Sequence, residues 1–147
     1  MRALIAVFAV LWLSSPAVAG EKKEAHPEYA AIEAAVFDYF HGQGEASAER
    51  LNRAFAAEHA TMVGVVKNDA GEEMIRSWKD MDTVLSNWAA NDNPPGTERS
   101  GEIMHMHVQD GRLAVVVFRS ADRFYDALTL AKIDGDWKII QKAFVLQ

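Results

Sequence analysis

Between residues 28 and 41 the apolar side chains Ile32, Ala35, Val36, Tyr39 and Phe40 recur every third or fourth position, with Glu33 and Asp38 between them. That period is one face of a helix, and Gly42 supplies a stop signal. Ser47 is suited to cap a second helix in which Leu51, Ala54 and Phe55 share a face, with Glu49 near its positive end. His59 follows the last turn of that helix. Residues 61–66 favour a strand, Asn68-Asp69-Ala70-Gly71 carries turn chemistry, and residues 72–76 can return as a second strand, which predicts a hairpin. Trp78, Met81, Leu85 and Trp88 mark the stripe of a third helix, which the loop containing Pro94-Pro95 cannot prolong.

Beyond that loop the pattern is that of strands. Residues 99–108, 113–121, 123–133 and 137–145 are four strand-length runs, separated at Asp110-Gly111, Asp122 and Asp134-Gly135. Junctions this short make sequence neighbours antiparallel. Helices first and a meander afterwards predict an α+β domain: three N-terminal helices packed on one face of a strongly curved antiparallel sheet. Val115, Val116 and Val117 are consecutive, so they point to both faces of their strand. An apolar outer face calls for a cover, and a second copy of the chain is the simplest one, which predicts a homodimer through that face.

The first residues follow a different rule. Met1-Arg2 is a short basic start, residues 3–13 are nearly all apolar, Ser14-Ser15-Pro16 interrupts them, and Ala17-Val18-Ala19 has the A-x-A form of a cleavage site. This is the layout of a secretory signal peptide, and the apolar run falls short of the roughly twenty residues needed to span a bilayer. The expectation is therefore a signal peptide over 1–19, a flexible Lys- and Glu-rich leader over 20–27, and a domain over 28–147. Such a protein would be periplasmic or secreted, and off the membrane once cleaved. With 15 basic against 21 acidic residues the net charge is -6, which makes nucleic acid a poor partner. The absence of cysteine excludes disulfides, thiolate metal sites and a cysteine nucleophile. The sequence has no phosphate-binding glycine-rich loop, no G-x-S-x-G elbow and no H-E-x-x-H.

Three stretches are familiar: Tyr39-Phe40-His41-Gly42 closing the first helix, Ala54-Phe55 followed by His59-Ala60, and the C-terminal run from Phe124-Tyr125-Asp126-Ala127 through Asp134-Gly135-Asp136-Trp137 to Lys142. Together they resemble the nuclear transport factor 2-like (NTF2-like) superfamily, and within it the lumazine-binding-like or SnoaL-like group, over essentially residues 28–145. The resemblance implies a cone, in which a bent sheet wraps the helices and leaves a pocket at its open end. It implies no particular reaction, because the superfamily hosts isomerases, dehydratases, hydrolases and non-catalytic modules.

The pocket's candidate ligand-binding residues are Tyr39, Phe55, Met62, Trp78, Trp88, Phe118 and Lys142. Any one of these aromatics is more often a core filler than a pocket wall. Asp126 shares a strand face with Leu128 and Leu130, and burial there would raise its pKa and suit it to proton transfer. A two-residue Asp134-Gly135 loop pairs Ala127 with Lys142, whereas a three-residue loop pairs Asp126 with Lys142. A rim salt bridge would explain the same two residues without chemistry. His59 suits a general base, yet a histidine at a helix end is also explained by the unsatisfied carbonyls there. Asp126 and His59 are thus the catalytic candidates if the protein is an enzyme, a cofactor-independent isomerase or dehydratase of the ketosteroid isomerase or SnoaL type. Tyr39, Tyr125 or Lys142 would then stabilise an oxyanion. In Met104-His105-Met106-His107 the two imidazoles share a face, with Met104, Met106 and Val108 expected towards the core. Two imidazoles make an incomplete site, so neither metal nor cofactor is expected. Apolar residues are plentiful and no acid/base constellation assembles without assuming a register. The expectation is accordingly a non-catalytic domain that binds a small apolar or aromatic ligand, ahead of an enzyme or a ligand-free dimeric module.

Overall fold

The computed structural model describes residues 26–121 and 123–147, so the expected signal peptide and nearly all of the leader, together with Asp122, lie outside the described residues. In chain order the elements are α1 (Tyr29–Glu45), α2 (Ala48–Ala54), β1 (Thr61–Lys67), β2 (Glu73–Trp78), α3 (Met81–Ala89), β3 (Gly101–Gln109), β4 (Leu113–Ser120), β5 (Phe124–Ile133) and β6 (Asp136–Leu146). None of the described helices is long and apolar enough to cross a membrane.

Two element boundaries differ from the sequence expectation, each for a local reason. Helix α1 runs through Gly42 and ends at Ala46, which takes a left-handed φ of 52°. Gly42 is a contact residue: a Cβ there would stand 3.0 Å from Arg50 and Leu51 atoms of α2, so the missing side chain lets the two helices approach. Trp78 closes β2 and does not open α3, because it pairs with Met62 across the first hairpin. Asp80 then caps α3, its carboxylate accepting from the Thr83 backbone N–H at 3.0 Å and the Thr83 hydroxyl at 2.7 Å.

The six strands form one sheet in the order β2-β1-β6-β5-β4-β3. The meander β3 to β6 is antiparallel throughout, and the β1–β2 hairpin joins it by a parallel pairing of β1 with β6. The sheet is therefore mixed, curved and covered by helices on one side, within the α+β class expected. Ile32, Val36 and Tyr39 of α1 and Leu51 of α2 meet Val116, Phe118, Leu128, Leu130 and Ile139 of the sheet in one buried cluster.

Two strands carry an extra residue. In β3 the register slips between Ile103 and His105, so Met104 is the inserted residue. Ile103 takes the inward place opposite Phe118, and Met106 follows opposite Val116. Met104 is consequently 53% exposed and not on the core face, while His105 and His107 are exposed as expected. On β4, Val116 is buried and Val115 is exposed. The outer face gathers Val63, Val65, Ile75, Val117, Tyr125 and Val145 along one shallow apolar groove.

Candidate functional site

The site is built by two neighbouring rungs of the sheet's inner face. One rung reads Trp78, Met62, Lys142, Leu128, Val116 and Met106 from β2 to β3. The next reads Arg76, Gly64, Phe144, Asp126, Phe118 and Ile103. Lys142 and Asp126 are thus diagonal neighbours on one face, within reach of a long side chain.

Neither register anticipated from the sequence is present. Asp134 and Gly135 form a two-residue turn with φ of 51° and 94°, and the strands pair directly from Ile133 and Asp136 back to Leu130 and Ile139. The register then slips, Thr129 faces Gln141, and Ile140 is left as a bulge. Uninterrupted pairing would have set Lys142 opposite the outward-facing Ala127. The bulge sets it opposite Leu128 and turns it inward, because one inserted residue exchanges the two faces of everything that follows.

Asp126 is 1% exposed and Lys142 3%. The Lys142 ammonium bonds Asp126 Oδ1, and the Tyr39 hydroxyl donates to Oδ2 at 2.9 Å. The ammonium also lies 4.7 to 5.1 Å from the ring centres of Phe124, Phe144 and Tyr39. Burial opposes charge on both members of the pair: it raises the Asp126 carboxyl above its usual range, against the pull of Lys142, and lowers Lys142 to about 8. Burial likewise pushes the Tyr39 phenol well above its ordinary value, with the Asp126 carboxylate adding to the effect. Both carboxylate oxygens are engaged, so Asp126 addresses the cavity through Lys142, which keeps donors to spare.

Lys142 forms part of the wall of a cavity of about 580 Å³ at the open end of the sheet. Met62, Trp78, Phe124, Phe144 and Leu146 line it from the sheet side, Val84 and Trp88 from α3, and Arg76, Lys79 and Arg123 stand among its polar residues. Gly64 sets the depth of one wall: a Cβ there would fall 2.3 Å from the Phe144 ring, so only glycine lets that ring lie down on β1.

Of the sequence candidates, Met62, Trp78, Trp88 and Lys142 line this cavity. Tyr39, Phe55 and Phe118 do not. Phe118 is packed by the rings of Phe37 and Phe40 at 5.8 and 5.3 Å, and Phe55 bridges to Ile139 beside Tyr39. Tyr39 reaches the site from behind, through Asp126. His59 is exposed in the turn after α2 and is not brought to Asp126, whose side-chain partners are Tyr39 and Lys142. Arg76, Arg123 and Phe144 were missed as site residues; Phe144 becomes visible only once β6 has its correct register. Among the described residues no three His, Asp or Glu side chains come together to hold a metal ion.

This arrangement, a bent sheet closed over helices with a cavity at its open end, is that of the NTF2-like proteins. The structure is similar to an NTF2-like protein of unknown function from Shewanella baltica, with 23% identity, a TM-score of 0.66 and coverage of 82% of this chain and 94% of that one. A second such protein, from Silicibacter pomeroyi, has 25% identity and a TM-score of 0.64 over 80% and 94% of the two chains. A ketosteroid isomerase-like protein from Erwinia carotovora has 15% identity and a TM-score of 0.58 over 83% and 98%, a likeness of fold. The model of the family described as Putative lumazine-binding matches residues 27–145, and the chain belongs to that family. No functionally curated protein matches the sequence.

Proposed function

We propose that the protein is an exported, non-catalytic domain that binds a small apolar or aromatic molecule in the cavity at the open end of the cone. The observation that carries this reading is the cavity itself, which is walled by Trp78, Phe124, Phe144, Met62 and Trp88 and is of the size and character of small-molecule sites. The family's description is consistent with it. Export rests on the layout of residues 1–19, and the working unit is a homodimer that covers the apolar groove of the outer face with a second copy of the chain. Mass spectrometry of protein purified natively from the periplasm should find a stoichiometric small molecule, an N-terminus at Gly20 and a particle of twice the chain mass. Recovery of empty protein that binds none of a panel of aromatic compounds would refute the binding reading.

A second reading is favoured by one observation, the buried Tyr39–Asp126–Lys142 chain behind the cavity wall. In an isomerase or dehydratase, Lys142 would touch the substrate and Asp126 would take or return its proton. Asp126→Asn keeps the shape and removes the carboxylate. Loss of turnover with ligand affinity retained would establish the enzyme, and unchanged affinity with no turnover in either form would establish the binding domain.

A further inference from the structure

In a chain of net charge -6, the described residues that border the cavity include the cations Arg76, Lys79 and Arg123 and, among carboxylates, Asp80 alone. Asp80 is committed to the first turn of α3, where its two bonds to Thr83 keep its carboxyl below the usual range and therefore ionised in place. Lys142 is matched by Asp126. The ion pairs among the described residues use other cations, so Arg76, Lys79 and Arg123 face the cavity with no carboxylate partner among the described residues. The two arginines are also held in place. The Arg76 guanidinium lies 5.0 Å from the centre of the Trp78 ring and that of Arg123 lies 5.8 Å from the centre of the Phe124 ring. Both rings are walls of the cavity. A guanidinium resting on an aromatic face keeps its N–H edge for a planar anion, which it binds in bidentate fashion.

We infer that the cavity selects a flat aromatic anion, a carboxylate or sulfonate borne on one or two rings, whose ring system lies along Trp78 and Phe124 while its acid group is bound at the mouth by Arg76 and Arg123. This deepens the small-ligand reading and rests on it. Apolar walls alone would accept neutral and charged rings according to size. The arginines add the discrimination, and Lys79 adds to the local positive field.

The test compares two fluorescent compounds of nearly the same shape, anionic 1-anilinonaphthalene-8-sulfonate and neutral N-phenyl-1-naphthylamine, titrated into the folded protein. The anion should bind about tenfold more tightly in dilute buffer, and the advantage should shrink towards none in molar salt. The double variant Arg76→Gln with Arg123→Gln, both at exposed positions, should remove the advantage, so that the two compounds bind alike. Ile75→Ser, in the groove on the outer face, should leave the advantage intact. Equal binding of both compounds, or loss of the advantage in Ile75→Ser and not in the arginine variant, would overturn the inference while the cavity still counts as a ligand site. Failure of both compounds to bind would overturn the inference together with the reading beneath it.

Discussion

Phe118 and Trp78 are both large aromatic residues on the inner face of one sheet, yet they have opposite fates. Phe118 on β4 has no exposed surface, because α1 lies across it and sets Phe37 and Phe40 against its ring. Trp78 at the end of β2 is half-buried; its neighbours are the tilted Phe144 ring, the Arg76 guanidinium and open space. The residue type is not what separates core from pocket. What separates them is whether a helix covers the strand at that point, and the short α3, starting only after the Asp80 cap, leaves the β2 side of the cone uncovered.

The contrast can be broken most severely at the covered end. Phe118→Ala should cost about 3–5 kcal/mol of stability, the range for truncating a fully packed ring, read as a lowered urea midpoint. Next comes the pair between the two regions. Lys142→Met should cost about 3 kcal/mol because it strands a buried carboxylate, and adding Asp126→Asn should restore most of the loss, since a neutral amide can still accept from Tyr39. A double-mutant cycle in urea checks both.

A further effect of the same pair depends on pH. Lys142 titrates at about 8 in the folded protein against 10.5 for an ordinary lysine, so between those values unfolding takes up a proton. Stability from this group should therefore rise with pH across that window, by at most about 1.4 kcal/mol per pH unit, and the rise should be missing in Lys142→Met. The least effect on stability falls at the open end. Trp78→Ala should cost about 1 kcal/mol or less while abolishing binding of aromatic compounds, a separation that paired melting and fluorescence titrations would sharpen.

Much of this molecule is legible from residue order because local and global preferences agree. The stripe Ile32, Val36, Tyr39 faces the core of α1, Ser47 caps α2, accepting from the Arg50 N–H at 3.4 Å, and Asp134-Gly135 makes the turn that its composition requires. The site was less legible, since its key step is a one-residue slip. Residues 137–146 are apolar at both odd and even positions, so either face can read as the inner one. The buried set nonetheless changes parity, from Trp137 and Ile139 to Lys142, and that change marks the bulge. Lysine at an inward position looks like evidence against such a register until Asp126 is seen beside it. Which aromatics would wall the cavity depended on helix coverage, which hydrophobic spacing does not encode.

The extra residue in β6 also bears on how such a site can change over generations. A substitution in the wall alters one group, but absorbing Ile140 into the ladder opposite Thr129 would exchange the whole terminal half of the strand, withdrawing Lys142 and Phe144 from the interior and presenting Gln141 and Ala143 instead. That slip would swap a charged, ring-lined chamber for an uncharged and roomier one. Loss of Ile140 itself would only straighten the strand, leaving Lys142 opposite Leu128 and Phe144 opposite Asp126, so a lineage can shed the extra residue and keep the chamber.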